Sequence, residues 1–569
     1  MLSDLPTTSD ELQGKSWADL EPFYAELESR PLTAASITEW LADFSHLSDL
    51  LGEYGSRAYV ATTRDTNDAE ADRRYKAYVE QIEPQERAAD QRLKLKLLNS
   101  GFVPEGFEVA LRNLRAEVDL FRETNLPLLT EEAKLRIQYN RIIGAQTVTW
   151  DGVEKTTRQM ELLQQDADRD VRERAWKAVS QRQLADRPAL NDLWRDLLTL
   201  RRQIAANADK PDYRAYAWVD RKRFDYTPED NQRFLDAIAE VVVPAASQIY
   251  ERHRQQLGVE SLRPWDLAVD PGGREPLRPF TDTNDLKARV GMIFHKLDPQ
   301  LGEYYDIMRR EDLLDLDNRK GKAPGGYCTQ FALVKRPFIF MNGVGLHDDI
   351  RTLTHESGHA FHAFEKLKLP YMIQRPVTAE FNEVASMAME LLATPFWSRE
   401  QGGFYSPADT ARGRLQHLEK IMLFWPYMAV VDGFQHWVYT HADAAMNPDN
   451  CDTEWARLWD KYMVGIDYSG LEADKADGWH RKLHIYRYPF YYVEYGMAQL
   501  GAVQIWANML QDQPAALAAY RRGLALGGTK PLPELFAASG AKFQFDTETL
   551  GAAVDLIMRT MAELEGQVG

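Results

Sequence analysis

Cysteine is scarce in this sequence of 569 residues. The two cysteines, Cys328 and Cys451, are far apart, and neither lies in a Cys-x-x-Cys pair. A disulfide-stabilised scaffold or a metal site built from several thiolates needs more thiols than this. We therefore expect two reduced thiols in a cytoplasmic protein.

Basic residues are also in deficit. Lysine and arginine total 68 against 86 aspartates and glutamates, so the formal net charge is −18. A protein whose main partner is a nucleic acid usually presents an excess of cations to the phosphates. The charge balance therefore argues against nucleic-acid binding as the principal function, and we expect no nucleic-acid partner.

The sequence has no long apolar run. The longest, Ile421–Val431, has 11 residues and ends at Asp432, which is about half of what a membrane-spanning helix requires. It is typical of a buried core segment. The opening residues MLSDLPTTSDELQGKSW carry acidic groups where a secretory signal has a basic start and an apolar core. We expect no membrane partner and a cytoplasmic location.

Helical periodicity dominates what is present. Apolar residues recur at three- and four-residue steps with few interruptions by glycine or proline, which predicts a mainly α-helical fold. The predicted helical segments are 17–30, 33–63, 67–98, 131–143, 156–206, 228–257, 283–298, 406–444, 453–465, 490–511 and 547–565.

Two short stretches are typical of β-strands. Thr147–Trp150 precedes an Asp-Gly pair, a strong signal for a tight turn, and Phe338–Asn342 is bounded by a proline and a glycine. Residues 258–282 are rich in proline and glycine and predict a long connection. We expect an N-terminal helical region over 1–200 and a catalytic region over 201–569 that contains this connection.

A His-Glu-x-x-His motif, HESGH, occupies residues 355–359 within a predicted helix at 348–366. Positions four apart lie on one helix face, so the imidazoles of His355 and His359 can reach one ion. Zinc accepts imidazole nitrogen, and Glu356, next to the first histidine, can reach a water there as general base. Chance produces the motif in only about one or two per cent of sequences of this composition. The sequence therefore predicts one zinc site per chain.

A catalytic zinc site needs a third protein ligand. TAEFNEVASMAMELLATP, residues 378–395, predicts a second helix that offers Glu380, Glu383 and Glu390. Glu380 suits the favourable interaction of an acidic side chain with a helix N-terminus, and we expect it to be solvated. Spacing leaves the other two open, since either can bind the ion while its neighbour orients a ligand histidine.

On these residues the sequence resembles the zinc oligopeptidases of the oligoendopeptidase F and thimet oligopeptidase family, and most of all the bacterial oligoendopeptidase F branch. The resemblance rests on HESGHAFH at 355–362, with its further His362, and on NEVAS at 382–386. In that family the glutamate of the second motif is the third zinc ligand, which implies Glu383 here. The resemblance also implies two helical lobes around a deep central channel, with a small β-sheet beside the zinc helix.

The residues before the motif gain an interpretation from the same resemblance. GKAPGGYC at 321–328, followed by RPFIFMN at 336–342, is similar to the family's glycine-rich segment and the strand that precedes the zinc helix. An exposed strand near the metal could pair with the backbone of an extended peptide. The alternative is an ordinary buried strand of a small sheet.

A tyrosine-rich segment, HRKLHIYRYPFYYVEYGMAQL at 480–500, is similar to the stretch whose histidine and tyrosines face the substrate in that family. Four residues best fit its spacing, namely His484, Tyr488, Tyr492 and Tyr495. The resemblance implies that Tyr495 and His484 stabilise the tetrahedral oxyanion. The spacing departs slightly from the family's, so Tyr491 and His480 remain rivals, and the alternative is an aromatic core with hydroxyls at its edge.

Together these features predict a zinc-dependent endopeptidase that acts on short unstructured peptides, with Glu356 as general base. Two alternatives remain. One is a zinc carboxypeptidase of related helical fold that also carries His-Glu-x-x-His. The other is a catalytically silent helical peptide-binding protein with a structural metal, against which Glu356 argues because a structural site needs no base.

Overall fold

The computed structural model describes Leu2 and residues 5–568 and is mainly helical, as predicted. From the N-terminus, its α-helices are first α1 (Trp17–Ser29), α2 (Ile37–Arg64), α3 (Ala69–Ala77), α4 (Glu83–Asn99), α5 (Glu108–Leu120), α6 (Leu126–Gly144), α7 (Thr157–Leu163), α8 (Arg169–Ala185), α9 (Arg187–Asn207), α10 (Tyr213–Asp220), α11 (Pro228–Ala237) and α12 (Val243–Leu257). There follow α13 (Thr283–Leu297), α14 (Pro299–Arg310), α15 (His347–Lys366), α16 (Ala379–Ala393), α17 (Pro407–Thr440), α18 (Ala442–Ala445), α19 (Pro448–Tyr462), α20 (Glu472–Ala476), α21 (Leu483–Arg487), α22 (Tyr492–Gln511), α23 (Gln513–Ala525), α24 (Leu532–Ala538) and α25 (Thr547–Glu565).

A short hairpin lies where the sequence predicted a strand and a turn. Strand β1 (Thr147–Trp150) pairs antiparallel with β2 (Val153–Thr156) across a two-residue turn. Asp151 and Gly152 have φ of 50° and 78°. An Asp-Gly pair tolerates two positive φ values in succession, and this geometry matches the twist of a hairpin.

A three-stranded sheet precedes helix α15. Its strands are β3 (Leu314–Asp317), β4 (Tyr327–Phe331) and β5 (Arg336–Gly343), in the order β3-β5-β4. The central strand β5 runs parallel to β3 and antiparallel to β4, and it contains the predicted strand Phe338–Asn342. Strand β4 is therefore an edge of this sheet.

The chain divides into two compact units, each assembled from separate stretches of sequence. The first comprises Met1–Val118, Leu277–Gly413 and Ala498–Phe543, and the second comprises Asp119–Pro276, Arg414–Met497 and Gln544–Gly569. One unit boundary lies inside the connection predicted at 258–282, between α12 and α13. The regions 1–200 and 201–569, and a central channel, stay predictions.

The helix α2 illustrates how the first unit forms its core. Trp40, Phe44, Leu47 and Leu51 recur at three- and four-residue steps and are fully buried. They belong to one apolar cluster with side chains of α1 and α4. This single buried stripe is what an amphipathic helix on a globular core requires.

In the second unit, the apolar run Ile421–Val431 lies within α17. Met422, Trp425, Met428 and Val431 are fully buried there, which confirms the prediction of a core segment. Among the described residues, no helix combines the length and the apolar character that crossing a bilayer demands.

Candidate active site

Helix α15 carries the His-Glu-x-x-His motif and begins at His347, one residue before its predicted start. The carboxylate of Asp349 accepts the backbone N–H groups of Val344 (2.8 Å) and Leu346 (2.9 Å). These bonds satisfy backbone donors that a helix N-terminus leaves without intrahelical partners. An acidic cap in the first turn therefore starts the helix that holds both histidines.

A glycine inside the motif permits close approach of α16. A Cβ on Gly358 would lie 2.4 Å from the carbonyl oxygen of Ala385 and 2.6 Å from the Cα of Ser386. Any larger side chain would push the two helix backbones apart. The sequence HESGH thus fixes both the spacing of the histidines and the distance to the helix that faces them.

Three donor atoms converge between these helices. Nε2 of His355 lies 3.5 Å from Oε2 of Glu383, and Nε2 of His359 lies 3.6 Å from the same oxygen. Two ligands bound at roughly 2.0–2.1 Å to one tetrahedral ion would lie roughly 3.3 Å apart. The three residues form a group of the described residues that could hold a metal ion, and Ser386 donates a hydrogen bond to Glu383 (2.9 Å).

Glu390 lies on the other side of the first histidine. Its Oε1 is 2.7 Å from Nδ1 of His355, and its Oε2 is 3.3 Å from Nη1 of Arg351. Because a carboxylate accepts, Nδ1 of this histidine donates to Glu390, and Nε2 is the nitrogen that faces Glu383. Spacing had left Glu383 and Glu390 as alternatives, and the structure gives them different positions.

Glu380 lies deeper than the sequence suggested, and His362 lies apart from the converging donors. Glu380 is fully buried, so the prediction that it is solvated is wrong: α16 is covered along most of its circumference, first turn included. His362 is also fully buried, with its ring 5.9 Å from that of Phe381. It lies outside the group of converging donors.

Glu356 is the buried carboxyl group beside the first histidine. Its pKa is raised to about 7, chiefly by burial and also by the charges of Glu383 and Glu390, while the His355 charge and the backbone N–H of Cys328 oppose the shift. A carboxyl group with such a pKa can exchange a proton at neutral pH. The contact with Cys328 also joins this group to the edge strand β4.

The second unit contains residues 480–495, which we call the aromatic wall. At its start, His480 is fully buried. Its Nε2 lies 2.7 Å from Oδ1 of Asn191, and its Nδ1 lies 2.9 Å from Oδ1 of Asp477. Both ring nitrogens are thus engaged inside the protein. This histidine is an internal structural residue and a weaker rival than the sequence suggested.

His484 is half-buried among tyrosines. Four tyrosine rings surround it, and the distances from their centroids to that of the imidazole are 4.7 Å for Tyr492, 6.1 Å for Tyr491, 6.3 Å for Tyr488 and 6.3 Å for Tyr495. The pKa of His484 is lowered to about 3, chiefly by burial and also by the charges of Lys482 and Arg221. This imidazole is neutral at physiological pH and can donate one hydrogen bond.

The tyrosines of the wall differ in exposure. Tyr488 is 40% exposed and Tyr492 only 9%, while Tyr491 and Tyr495 are half-buried. Burial raises the pKa of Tyr492 well above its usual range. The structure brings all four predicted wall residues into one cluster, together with the rival Tyr491.

Sequence reasoning missed the buried arginines that hold this wall. Arg201 in α9 and Arg223 after α10 donate to backbone carbonyls of the wall. Their partners lie more than 260 positions away in the sequence. No local spacing signals such a contact, although an arginine among the apolar residues of α9 could have drawn attention.

Comparison with known proteins gives a family match over more than half of the chain. The model of the family described as peptidase family M3 matches residues 162–554. The oligoendopeptidase F homolog of Mycoplasma pneumoniae is 22% identical over 331 residues, which cover 54% of this chain and 52% of that protein. This chain thus spans about half the length of that relative.

Two solved structures share the fold over nearly the whole chain. One, Pz peptidase A with an inhibitor, is 27% identical with a TM-score of 0.85 and covers 97% of this chain and 98% of its own. Another, described as an oligoendopeptidase F, has the same identity and TM-score and covers 99% and 100%. These findings confirm the resemblance read from HESGHAFH and NEVAS. Because the family model matches more than half of its residues, this chain belongs to peptidase family M3.

Proposed function

We propose that this protein is a zinc-dependent endopeptidase that hydrolyses internal bonds of short, unstructured peptides in the cytoplasm. The observation that carries the proposal is the convergence of donor atoms from His355, His359 and Glu383. The buried Glu356 lies on α15, the helix that also carries the two histidines. Membership of a peptidase family supports the reaction class.

The converging residues fit one zinc ion per chain. Two imidazole nitrogens and one carboxylate oxygen form a ligand set of catalytic zinc sites, which leave a further position open. Zinc held there would polarise the scissile carbonyl and lower the pKa of a water to about 7. His355 donates a hydrogen bond to Glu390, and Glu383 accepts one from Ser386, so two of the three ligands are oriented by neighbouring side chains.

Glu356 is the general base of the proposed reaction. Its carboxylate takes a proton from the attacking water as the new C–O bond forms, and it delivers that proton to the leaving amine as the C–N bond breaks. A pKa of about 7 suits both transfers, because the group can hold and release a proton at neutral pH.

Strand β4 supports a way to hold the peptide. It pairs with β5 on one side and forms an edge of the sheet within the described residues, and its Cys328 N–H contacts Glu356. An extended peptide that pairs with this edge would bind through its backbone, so little sequence preference is required. The scissile bond would then lie close to the base.

The aromatic wall supplies the proposed oxyanion donors, Tyr495 and His484, with Tyr488 and Tyr492 beside them. A phenol and a neutral imidazole each donate one hydrogen bond, which stabilises negative charge on the carbonyl oxygen in the transition state. The low pKa of His484 supports the neutral form. Tyr491 remains an alternative donor because it is half-buried and lies beside the same imidazole.

A carboxypeptidase and a silent peptide-binding protein remain the competing functions. A carboxypeptidase requires a free C-terminus, so it would leave a peptide blocked at both ends intact. A binding protein would leave all peptides intact. Hydrolysis of a doubly blocked peptide that stops on addition of a chelator therefore distinguishes the proposal from both.

The general base has a direct test in Glu356→Gln. We expect the zinc-loaded variant to keep its metal, measured by elemental analysis, and to lose about 10²- to 10⁴-fold in kcat, because a carboxamide cannot take the proton. Glu400→Gln, an exposed residue of the same unit, serves as the control and should match the wild type. Near wild-type turnover in Glu356→Gln would overturn the mechanism.

A further inference from the structure

The aromatic wall contains cations stacked on tyrosine rings. Nζ of Lys482 lies 3.6 Å from the ring centroid of Tyr492 and 4.9 Å from that of Tyr427. Arg487 lies over the ring of Tyr488, with its Cζ 5.0 Å from the centroid. A ring face attracts a cation but does not neutralise it.

Neither cation has an acidic partner. Among the described residues, no carboxylate oxygen lies within 4.0 Å of Lys482 or Arg487, although the chain has 86 acidic residues for 68 basic ones. Arg487 donates to the hydroxyl of Tyr488 (3.1 Å), whereas the ammonium group of Lys482 lies against the two rings. Burial lowers the pKa of Lys482 to about 7, which reflects an ammonium group that has lost water without gaining an anion.

Other ring-stacked lysines of the chain contrast with Lys482. Four stack on an aromatic ring and also reach a carboxylate: Lys177 with Glu173 at 2.6 Å, Lys322 with Asp315 at 2.9 Å, Lys368 with Glu365 at 2.5 Å and Lys461 with Asp236 at 3.3 Å. The usual arrangement in this protein is therefore a ring beneath the ammonium group and a carboxylate beside it. Lys482 has the rings beneath its ammonium group, but within the described residues no carboxylate lies beside it.

Lys482 is half-buried, so part of its side chain remains accessible. It contacts Tyr492, whose ring lies 4.7 Å from His484 and 6.0 Å from Tyr495, the proposed oxyanion donors. We propose that Lys482 is a specificity-determining residue that binds a carboxylate of the peptide substrate, either an Asp or Glu side chain or the C-terminal carboxylate. This inference rests on the proposed peptidase function.

The test uses the zinc-loaded wild type and Lys482→Met on three peptides of equal length. One is neutral and blocked at both ends, one is blocked and carries a glutamate, and one has a free C-terminal carboxylate. We expect Lys482→Met to raise KM about 10- to 100-fold for a carboxylate-bearing peptide, because a hydrogen bond to a charged group is lost. The neutral peptide should show a much smaller change.

Matched variants separate this role from a structural one. Lys482→Arg keeps the charge and should keep most of the preference, while Lys461→Met removes a ring-stacked lysine that already has a carboxylate partner and should leave the preference intact. Loss with the glutamate peptide alone identifies a side-chain carboxylate, and loss with the free C-terminus alone identifies the terminal one. Equal losses on all three peptides, or no loss, would overturn the inference.

Failure of the proposed peptidase function can be distinguished from failure of carboxylate recognition by Lys482. If the wild type hydrolyses none of the peptides, including the neutral one, the proposed function fails. The anisotropy of the same peptides, labelled and titrated with wild type and Lys482→Met, then still decides whether Lys482 recognises a carboxylate. Equal binding of neutral and acidic peptides by the wild type would refute it.

Discussion

The two regions that carry the proposed chemistry, the helix pair α15–α16 and the aromatic wall, are held in place by different means. In the helix pair, groups that act together lie within a few turns of regular helix, and Gly358 sets the distance between the helices. In the wall, the five-residue helix α21 leads into chain with φ of 60° at Phe490. Helical periodicity therefore orients the proposed metal donors, whereas the wall depends on contacts from elsewhere in its unit.

Two buried arginines provide those contacts. Arg201 donates to the backbone carbonyls of Ile485 (3.3 Å) and Tyr486, directly after His484 in the sequence. Arg223 donates to the carbonyl of Phe490 and to the carboxylate of Glu494. Together the two guanidinium groups donate to three backbone carbonyls of this segment. The candidate site residues are thus positioned by helical spacing in the pair α15–α16 and by long-range charged contacts in the aromatic wall.

The largest expected effect comes from Arg201→Met. Arg201 is fully buried and pairs with the buried Glu132 at 2.9 Å. Its removal leaves Arg136, at 2.7 Å, to balance that carboxylate and leaves two wall carbonyls without their donor. We expect a loss of about 3–5 kcal/mol in the free energy of unfolding, measured by chemical denaturation.

The neighbouring Arg202→Met is the matched control. Arg202 is 46% exposed, and its partner Asp443 is 91% exposed. Such a pair contributes at most about 1 kcal/mol. If the two substitutions cost the same, buried arginines do not hold the wall, and the contrast between the two regions disappears.

Gly358→Ala tests the helix pair and should have the next largest effect. The added methyl group would meet backbone atoms of α16 at 2.4 and 2.6 Å, and backbone cannot move aside as a flexible side chain can. We expect a loss of about 2–3 kcal/mol in unfolding free energy. Zinc affinity should also fall, because α16 carries Glu383, and a zinc titration measures this.

Gly52→Ala is the control for a glycine of no special role. Gly52 lies in α2 with no atom within 4 Å of an added Cβ. This substitution should stabilise the protein by about 0.5–1 kcal/mol, since alanine favours helix over glycine. Gly358→Ala with unchanged stability and zinc affinity would mean that the helices can separate without harm.

The same contrast explains what the sequence predicted well. The strand-and-turn signal at Thr147–Trp150 and the helix at 348–366 depend on neighbouring residues, and both are confirmed. The short helices α10 and α24 escaped prediction, because their few residues give too little periodicity to stand out from connecting chain. The longer helices α5, α14 and α23 also lie outside the predicted segments. Neighbouring residues therefore predicted much of the local order, though not all of it.

Positions that depend on packing could not be predicted. Glu380 was expected in solvent from its place in a first turn, yet other elements cover that turn. Choosing between Glu383 and Glu390 by geometry requires the direction of the His355 ring, which Glu390 itself fixes. The burial of His480 depends on Asn191, 289 residues away. In each case the deciding atom is distant in sequence or its orientation is set by a tertiary contact.

The smallest expected effect is a pH dependence of stability from the wall. The folded pKa of His484 is about 3, below its usual value of 6.5. Because the unfolded chain binds a proton below pH 6.5 while the folded protein does not, stability present above pH 6.5 is lost as the pH falls. Between pH 7.5 and 5.5 the loss should be about 1 kcal/mol. Denaturation of chelator-treated wild type and His484→Gln measures it, and the variant should show a shallower decline. Identical declines in stability would mean that His484 is protonated as readily in the folded protein as in the unfolded chain. The aromatic wall would then not shield this imidazole from water.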